Sequence, residues 1–126
     1  MLRRKFKKRV EVIFEPFKGV PMTKFAQNVN YFGQETKGLS QVRGNGCLIL
    51  TDTELFFEMW WPKRMLKIPL HLISGVENPP PKWHLKKTKS RPLLKIHFTN
   101  EQGNEDSAAW IVPELEDWIQ KIRLTL

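Results

Sequence analysis

The sequence has few of the features that mark a secreted or membrane-spanning protein. Cys47 is the only cysteine, so the chain forms no internal disulfide and a reducing compartment is predicted. No apolar run approaches the ~20 residues that span a bilayer. The first residues are charged, and no apolar segment of the kind found in secretory signals follows them. We therefore predict a cytoplasmic location, with peripheral association at a membrane as its extension.

Catalytic and metal-binding motifs are also missing. The sequence contains no Gly-x-Ser-x-Gly, no phosphate-binding Gly-Lys-Ser/Thr loop and no His-Glu-x-x-His. His71, His84 and His97 are dispersed, and none has a cysteine or carboxylate at the spacing of a metal site. We predict no catalytic residues, no metal site and no cofactor, and hence a protein that is not an enzyme.

The composition is that of one folded domain. The 126 residues are 40% hydrophobic and 11% aromatic, which is typical of a packed protein and not of a disordered chain. A chain of this length buries roughly two thirds of its unfolded surface. No internal repeat or linker divides it, so residues 1–126 are interpreted as a single domain.

Positive charge is concentrated in two clusters. The net charge is +8, and no acidic residue lies between Glu77 and Glu101 to offset the second cluster. The first cluster is Arg3, Arg4, Lys5, Lys7, Lys8 and Arg9, and the second is Lys82, Lys86, Lys87, Lys89, Arg91 and Lys95. A patch of one sign is a surface that an anionic partner can recognise.

The first third of the chain gives two weak structural signals. Residues 10–15 read as a short strand that ends before Pro16. In residues 23–36, Phe25, Val29 and Phe32 follow the i, i+4, i+7 spacing, which predicts a short helix.

Stronger signals begin at residue 38. The Asn-Gly pair within residues 43–46 predicts a hairpin turn, because both turn positions need positive φ. Short strands are predicted over residues 47–50, 54–61, 65–70 and 72–76. The first of these is uniformly apolar, which indicates burial on both faces.

The last third predicts a hairpin followed by a helix. Residues 94–99 alternate between apolar and polar side chains, and residues 108–112 supply the facing strand after a turn at 100–104. A helix is predicted to begin at Pro113. Its apolar stripe is Leu115, Trp118, Ile119 and Ile122. A single helix with one apolar stripe must cover another surface, and the open end of a bent sheet is available.

The order of these segments resembles the pleckstrin-homology-like (PH-like) superfold, and within it the GRAM-like and bacterial PH-like branches. The segments that carry the resemblance are residues 46–52 (Gly-Cys-Leu-Ile-Leu-Thr-Asp), 55–57, 66–70 (Leu-Lys-Ile-Pro-Leu), 73–77, 93–98, 109–110 and the helix with Trp118. The resemblance covers residues 38–126 and leaves residues 1–37 as a basic N-terminal extension. It implies a mainly β fold: a bent antiparallel barrel of two near-orthogonal sheets with a C-terminal capping α-helix.

The resemblance also implies ligand classes, namely phosphoinositide headgroups, other lipids, and peptides or proteins. Phosphoinositide-binding members of the superfold use basic residues in the first strand–strand loop. We assign that loop to residues 43–46, which hold one cation. The loop at residues 100–106 belongs near the same mouth and carries three acids and no cation. Carboxylates repel phosphate, so an anionic partner is predicted to dock elsewhere, on residues 82–95 or residues 3–9.

The function predicted from these observations is a non-enzymatic PH-like module that binds an anionic membrane face or lipid headgroups through its basic clusters. Trp60, Trp61 and Trp83 are candidate aromatic contacts, since adjacent Trp60 and Trp61 cannot both face the core of one strand. The alternative is a protein- or peptide-binding scaffold. Nucleic acid ranks third and is disfavoured. Each surface also has a simpler interpretation: a solvated tail, a tryptophan pair covered by the N-terminal third, and a solvated loop.

Overall fold

A computed structural model gives the fold and describes residues 19, 22–34, 44–60, 63–78, 80, 82–85 and 89–126. Within these residues the chain forms nine strands and a C-terminal helix. The strands are β1 (Met22–Gln34), β2 (Gly44–Thr51), β3 (Glu54–Met59), β4 (Arg64–Pro69), β5 (Ile73–Val76), β6 (Lys82–Leu85), β7 (Lys89–Pro92), β8 (Leu94–Thr99) and β9 (Glu105–Ile111), and the helix is α1 (Leu115–Arg123). A short 3-10 turn, Leu70–Leu72, joins β4 to β5.

Seven strands form one antiparallel sheet in the order β4-β3-β2-β1-β9-β8-β5. The long strand β1 is central, because it pairs with β2 through residues 22–31 and with β9 through residues 30–34. The edges are β4 and β5, which do not pair with each other in the described part of the chain. The other two strands, β6 and β7, pair together as a separate ribbon. The predicted antiparallel β fold with a C-terminal helix is confirmed.

The helix predicted over residues 23–36 is wrong, because the described part of this segment is the strand β1. The register between β1 and β2 shifts between Ala26 and Val29. Such a β-bulge adds a residue to one strand and changes which side chains face the core. Ala26 and Val29 are both buried although they are three positions apart, whereas Phe25 is half exposed. The spacing that suggested a helix therefore arises from an irregular strand.

The hairpin turn predicted at residues 43–46 is also wrong. Asn45 and Gly46 lie inside β2 and pair with two residues of β1. Glycine fits position 46 because of close approach and not because of a turn: a Cβ atom there would overlap the backbone oxygen of Glu58. The connection between β1 and β2 runs through residues 35–43, outside the described residues, as does the strand predicted at residues 10–15.

Two apolar clusters lie on opposite faces of β2 and β3, so that residues 47–50 are completely buried, as predicted. The main cluster is closed by α1, whose Trp118, Ile119 and Ile122 have no exposed surface. Trp118 and Ile122 share this cluster with Leu66, Ile96 and Trp110, whereas Phe56 belongs to the second cluster.

The helix α1 begins two residues later than predicted. Glu114 precedes it in a left-handed conformation with φ 53°, so Pro113 lies outside the helix. The first helical hydrogen bond runs from the N–H of Trp118 to the carbonyl of Glu114, at 3.1 Å. Acidic residues occupy the first turn and basic residues the last, which suits the helix dipole. Lys24 of β1 ties this end to the sheet, because its Nζ lies 2.7 Å from Asp117 Oδ2.

Candidate functional site

A cleft of about 670 Å³ opens between the edge strand β4 and the end of β8. One wall is β4, and the other is formed by residues 99–102 at the end of β8. The buried rings of Tyr31, Phe57 and Phe98 form the floor. Clefts that hold small ligands in proteins span roughly 300–1,000 Å³ and have mostly apolar linings with a few polar groups. This cleft has the size and the mixed lining of a binding site.

The β4 wall combines positive charge with apolar surface. Arg64 and Lys67 are exposed, and Met65 between them is 63% exposed. Leu66 is half-buried and packs against the main cluster. The Nζ atom of Lys67 lies 3.9 Å from Glu54 Oε2, which is a weak, largely exposed ion pair. The wall therefore offers cations to a ligand beside apolar side chains.

The opposite wall is a turn whose shape is fixed by Asn100. Its side-chain Oδ1 accepts hydrogen bonds from the N–H groups of Gln102 and Asn104, both at 3.0 Å. Its own backbone N–H donates to the carbonyl of Asn104 at 2.8 Å. An asparagine that bonds the following backbone in this way stabilises a turn. We call residues 100–104 the Asn100 turn.

Asp106 connects the Asn100 turn to β1 through side-chain hydrogen bonds. It is 5% exposed, and its Oδ2 accepts a hydrogen bond from Gln34 Nε2 at 2.8 Å. Its Oδ1 accepts from the N–H of Ser107 at 2.8 Å. Such bonds are what a buried carboxylate needs in order to remain charged. Of the three acids predicted at this mouth, Asp106 is directed inward, Glu101 lines the cleft, and Glu105 is exposed.

Tyr31 is the polar group of the aromatic floor. Its ring centroid lies 4.7 Å from that of Phe57 and 5.7 Å from that of Trp110. Burial raises the pKa of the Tyr31 phenol, and the nearby charge of Asp106 raises this pKa further. The phenol therefore remains protonated at neutral pH and keeps its ability to donate a hydrogen bond.

Sequence reasoning missed this cleft. Its residues come from β1, β3, β4 and the end of β8, which are far apart in the chain. The available signal was Met65, an apolar residue on the face of β4 that does not point into the main core.

The basic cluster around residues 82–92 lies on the ribbon formed by β6 and β7, which we call the basic ribbon. The chain enters β8 from this ribbon, and the first residue of β8, Leu94, pairs with Trp110. The last residue of β8, Thr99, pairs with Glu105 beside the Asn100 turn. A six-residue strand is roughly 17–20 Å long. The basic ribbon and the acidic turn therefore connect to opposite ends of β8.

The predicted contact residues fall into three groups. Lys82, Trp83, Lys89 and Arg91 belong to the strands of the basic ribbon, where Trp83 pairs in register with Arg91 and Arg91 is exposed. Trp60 lies beside the second apolar cluster, and its Nε1 donates a hydrogen bond to Cys47 Sγ at 3.4 Å. The remainder, Lys86, Lys87, Trp61 and the cluster Arg3, Arg4, Lys5, Lys7, Lys8 and Arg9, lie outside the described residues.

The histidines occupy separate positions. His71 is exposed in the 3-10 turn, and His84 lies in β6. His97 Nε2 lies 2.8 Å from Glu77 Oε1, and Lys95 Nζ lies 3.8 Å from the same oxygen. Across the described ranges, no group of three or more His, Cys, Asp or Glu residues could hold a metal ion. Over the same ranges, none of the helices has the length and hydropathy needed to cross a bilayer.

No family model and no curated protein matches this chain. Among solved structures, the chain is similar to the C-terminal domain of an unknown protein from Leishmania infantum, with a TM-score of 0.54. The match covers 99% of this chain and 96% of that chain at 13% sequence identity. At this identity the likeness concerns the fold alone.

Proposed function

We propose that this chain is a non-enzymatic PH-like binding module that associates with an anionic membrane face or lipid headgroups through the basic ribbon. The observation that carries the proposal is the position of this charge. Six cations and no acid lie between Glu77 and Glu101, and the ribbon, whose strands hold Lys82, Lys89 and Arg91, joins β8 at the end away from the acidic turn. The proposal includes a cytoplasmic location with peripheral attachment to the membrane.

The PH-like part of the proposal is supported by curvature in the seven-stranded sheet. Strands β3 and β9 are three positions apart in the strand order, which is roughly 14 Å in a flat sheet at about 4.8 Å per strand. The ring centroids of Phe57 in β3 and Trp110 in β9 nevertheless lie only 5.8 Å apart. A sheet that folds over at β1 into two crossed halves, with α1 covering the open end, accounts for this contact and for the single main cluster.

Electrostatics gives the expected strength of binding. Each lysine or arginine near an anionic bilayer contributes about 1 kcal/mol, and this attraction falls off within a Debye length of ~8–10 Å. A ribbon that concentrates cations on one short segment can place several of them within one Debye length of the bilayer at the same time. The acidic Asn100 turn, at the other end of β8, would then lie outside it.

The experiment is co-sedimentation with phosphatidylcholine liposomes, with and without phosphatidylserine, at two salt concentrations. The test variant carries Lys86→Gln, Lys87→Gln and Lys89→Gln. The control removes the same charge from the β4 side through Lys63→Gln, Arg64→Gln and Lys67→Gln. We expect the test variant to bind anionic liposomes about 10- to 100-fold more weakly, with a flatter salt dependence and an unchanged melting temperature. The control should bind like the parent.

The proposal fails if the test variant and a deletion of residues 1–9 both bind anionic liposomes like the parent. A single-stranded oligonucleotide that binds as tightly as the liposomes would favour nucleic acid instead.

The second candidate function is a protein-binding scaffold, and the observation that favours it is the edge strand β4 beside the cleft. The Trp60 face is a weaker choice for that role, because Trp60 is bonded to Cys47 and only partly exposed.

A further inference from the structure

The outer edge of β4 is open to pairing. On one side β4 pairs with β3 over its full length, and on the other it meets no strand in the described part of the chain. An edge strand presents alternate N–H and C=O groups that can pair with another extended segment. Pro69 ends this edge, since proline has no N–H. The cleft lies along the same edge and leaves room for such a segment.

The two faces of β4 differ, so an added strand would meet different chemistry on each side. Leu66 pairs with Phe57 of the main core, which places it on the inner face above the aromatic floor. Met65 and Lys67 point to the outer face, because successive side chains in a strand alternate. A segment lying beside β4 would therefore place every second side chain over the apolar floor and the others beside Lys67.

Charge decides which segment fits. Lys63, Arg64 and Lys67 are all exposed on or next to β4. A second copy of this chain pairing through the same edge would bring its own cations against these, and like charges across a strand pair are destabilising. An extended segment with acidic side chains at the same positions would instead be attracted to these cations. The opposite wall carries Glu101, so acidic groups would favour the β4 side of the cleft.

We propose that the cleft between β4 and the Asn100 turn binds an extended acidic peptide, which pairs with the β4 edge and alternates acidic side chains with apolar ones. The apolar side chains occupy the aromatic floor, and the acidic ones lie beside Lys67 on the outer face, while Arg64, two positions from Leu66, adds positive charge from the inner face. This site is distinct from the basic ribbon and does not depend on membrane binding.

The probe is a fluorescein-labelled hexapeptide that alternates glutamate with valine or phenylalanine, measured by fluorescence anisotropy with the full chain. A second peptide with lysine in place of glutamate and a third with its three glutamates grouped at one end serve as controls. We expect the alternating acidic peptide to bind at least five-fold more tightly than either control. In ¹⁵N spectra it should shift the amide signals of residues 64–68.

Two variants test the charge argument. Arg64→Gln with Lys67→Gln should weaken binding of the acidic peptide about five-fold, because the opposite-charge pair at Lys67 and the attraction of the nearby Arg64 are both lost. The charge-matched control, Lys121→Gln with Arg123→Gln on α1, should bind like the parent. Lys67→Glu should shift the preference toward the lysine peptide, and since Lys67 is exposed this variant should fold normally.

The proposal is overturned if no peptide binds at 1 mM, or if the shifted amides lie on the basic ribbon. Binding of decanoate in the cleft, without binding of the acidic peptide, would instead identify a site for a single acyl chain and would also overturn it. Equal binding of the acidic and lysine peptides would show that Arg64 and Lys67 do not select the ligand, and the acidic class would then be wrong.

Discussion

Replacing Trp118 with alanine tests whether α1 and the two halves of the sheet share one core. Trp118 has no exposed surface, and the Nζ atom of Lys24 lies 5.5 Å from its ring centroid. Truncating a fully buried tryptophan to alanine costs ~3–5 kcal/mol, because transfer free energy is lost and a cavity remains. α1 has only nine residues, too few for a stable helix in water, so it depends on this burial.

The free energy of unfolding from urea titration and the melting temperature from circular dichroism provide the measurement. For a domain of this length, 1 kcal/mol corresponds to roughly 4 °C, so Trp118→Ala should lower the melting temperature by ~12–20 °C. Gln120→Ala, at an exposed position of the same helix, should change stability by less than about 0.5 kcal/mol. If Trp118→Ala costs less than about 1 kcal/mol, the shared core is wrong.

A phenylalanine at the same position refines the test. The indole N–H of Trp118 is buried, and no hydrogen-bond partner for it is found among the described residues. A buried donor without a partner costs about 1–3 kcal/mol, and phenylalanine removes that donor. Trp118→Phe should therefore destabilise far less than Trp118→Ala. If the two variants lose equal stability, the indole N–H is satisfied or the cavity dominates.

Two further outcomes follow from single contacts. The hydrogen bond with Lys24 lowers the pKa of Asp117 below its usual 3.8. The contact therefore stabilises the folded state fully at pH values above 3.8, and this stabilisation is lost as the pH falls through the lowered pKa. The difference in melting temperature between the parent and Asp117→Asn should accordingly be constant from pH 5 to 8 and shrink below about pH 4; a difference that grows on acidification would contradict this sign. Gly46→Ala should destabilise by about 3 kcal/mol or more in urea titrations, because its Cβ would overlap the backbone of Glu58. At Gly75 a Cβ would meet nothing within 4 Å, so Gly75→Ala is the matched control and should be close to neutral.

The parts of the fold that sequence predicted are those with regular alternation. In β8, the apolar residues Leu94, Ile96 and Phe98 are all buried, and the residues between them are partly exposed. The apolar stripe of α1 was equally regular. In β1 the bulge between Ala26 and Val29 breaks the two-residue period, so the pattern looked helical.

Glycine was misread because it has two structural uses. An Asn-Gly pair predicts a turn when glycine supplies positive φ. At Gly46 the absent side chain instead lets β3 approach β2 closely, which depends on a strand that follows later in the chain. The helix start was displaced for a similarly local reason, the left-handed conformation of Glu114, for which the sequence gives no signal.

The candidate site was harder to predict than the fold. The acids near the mouth were identified from composition, but their directions were not: Asp106 bonds inward to Gln34, 72 residues away in sequence. The cleft lies between β4 and the end of β8, which are far apart in the strand order, so it depends on how the whole sheet curves. Charge clusters are visible in a sequence, whereas a gap between two distant strands is a property of the assembled sheet.

The basic ribbon and the acidic turn connect to opposite ends of β8, so positive and negative charge are separated along that strand. Near an anionic bilayer, a dipole of this kind experiences a torque that turns the basic end toward the lipid. The Asn100 turn and the cleft beside it would then face the aqueous side. In that orientation a single copy could hold a membrane at one end while an acidic segment of another protein remains free to reach the other.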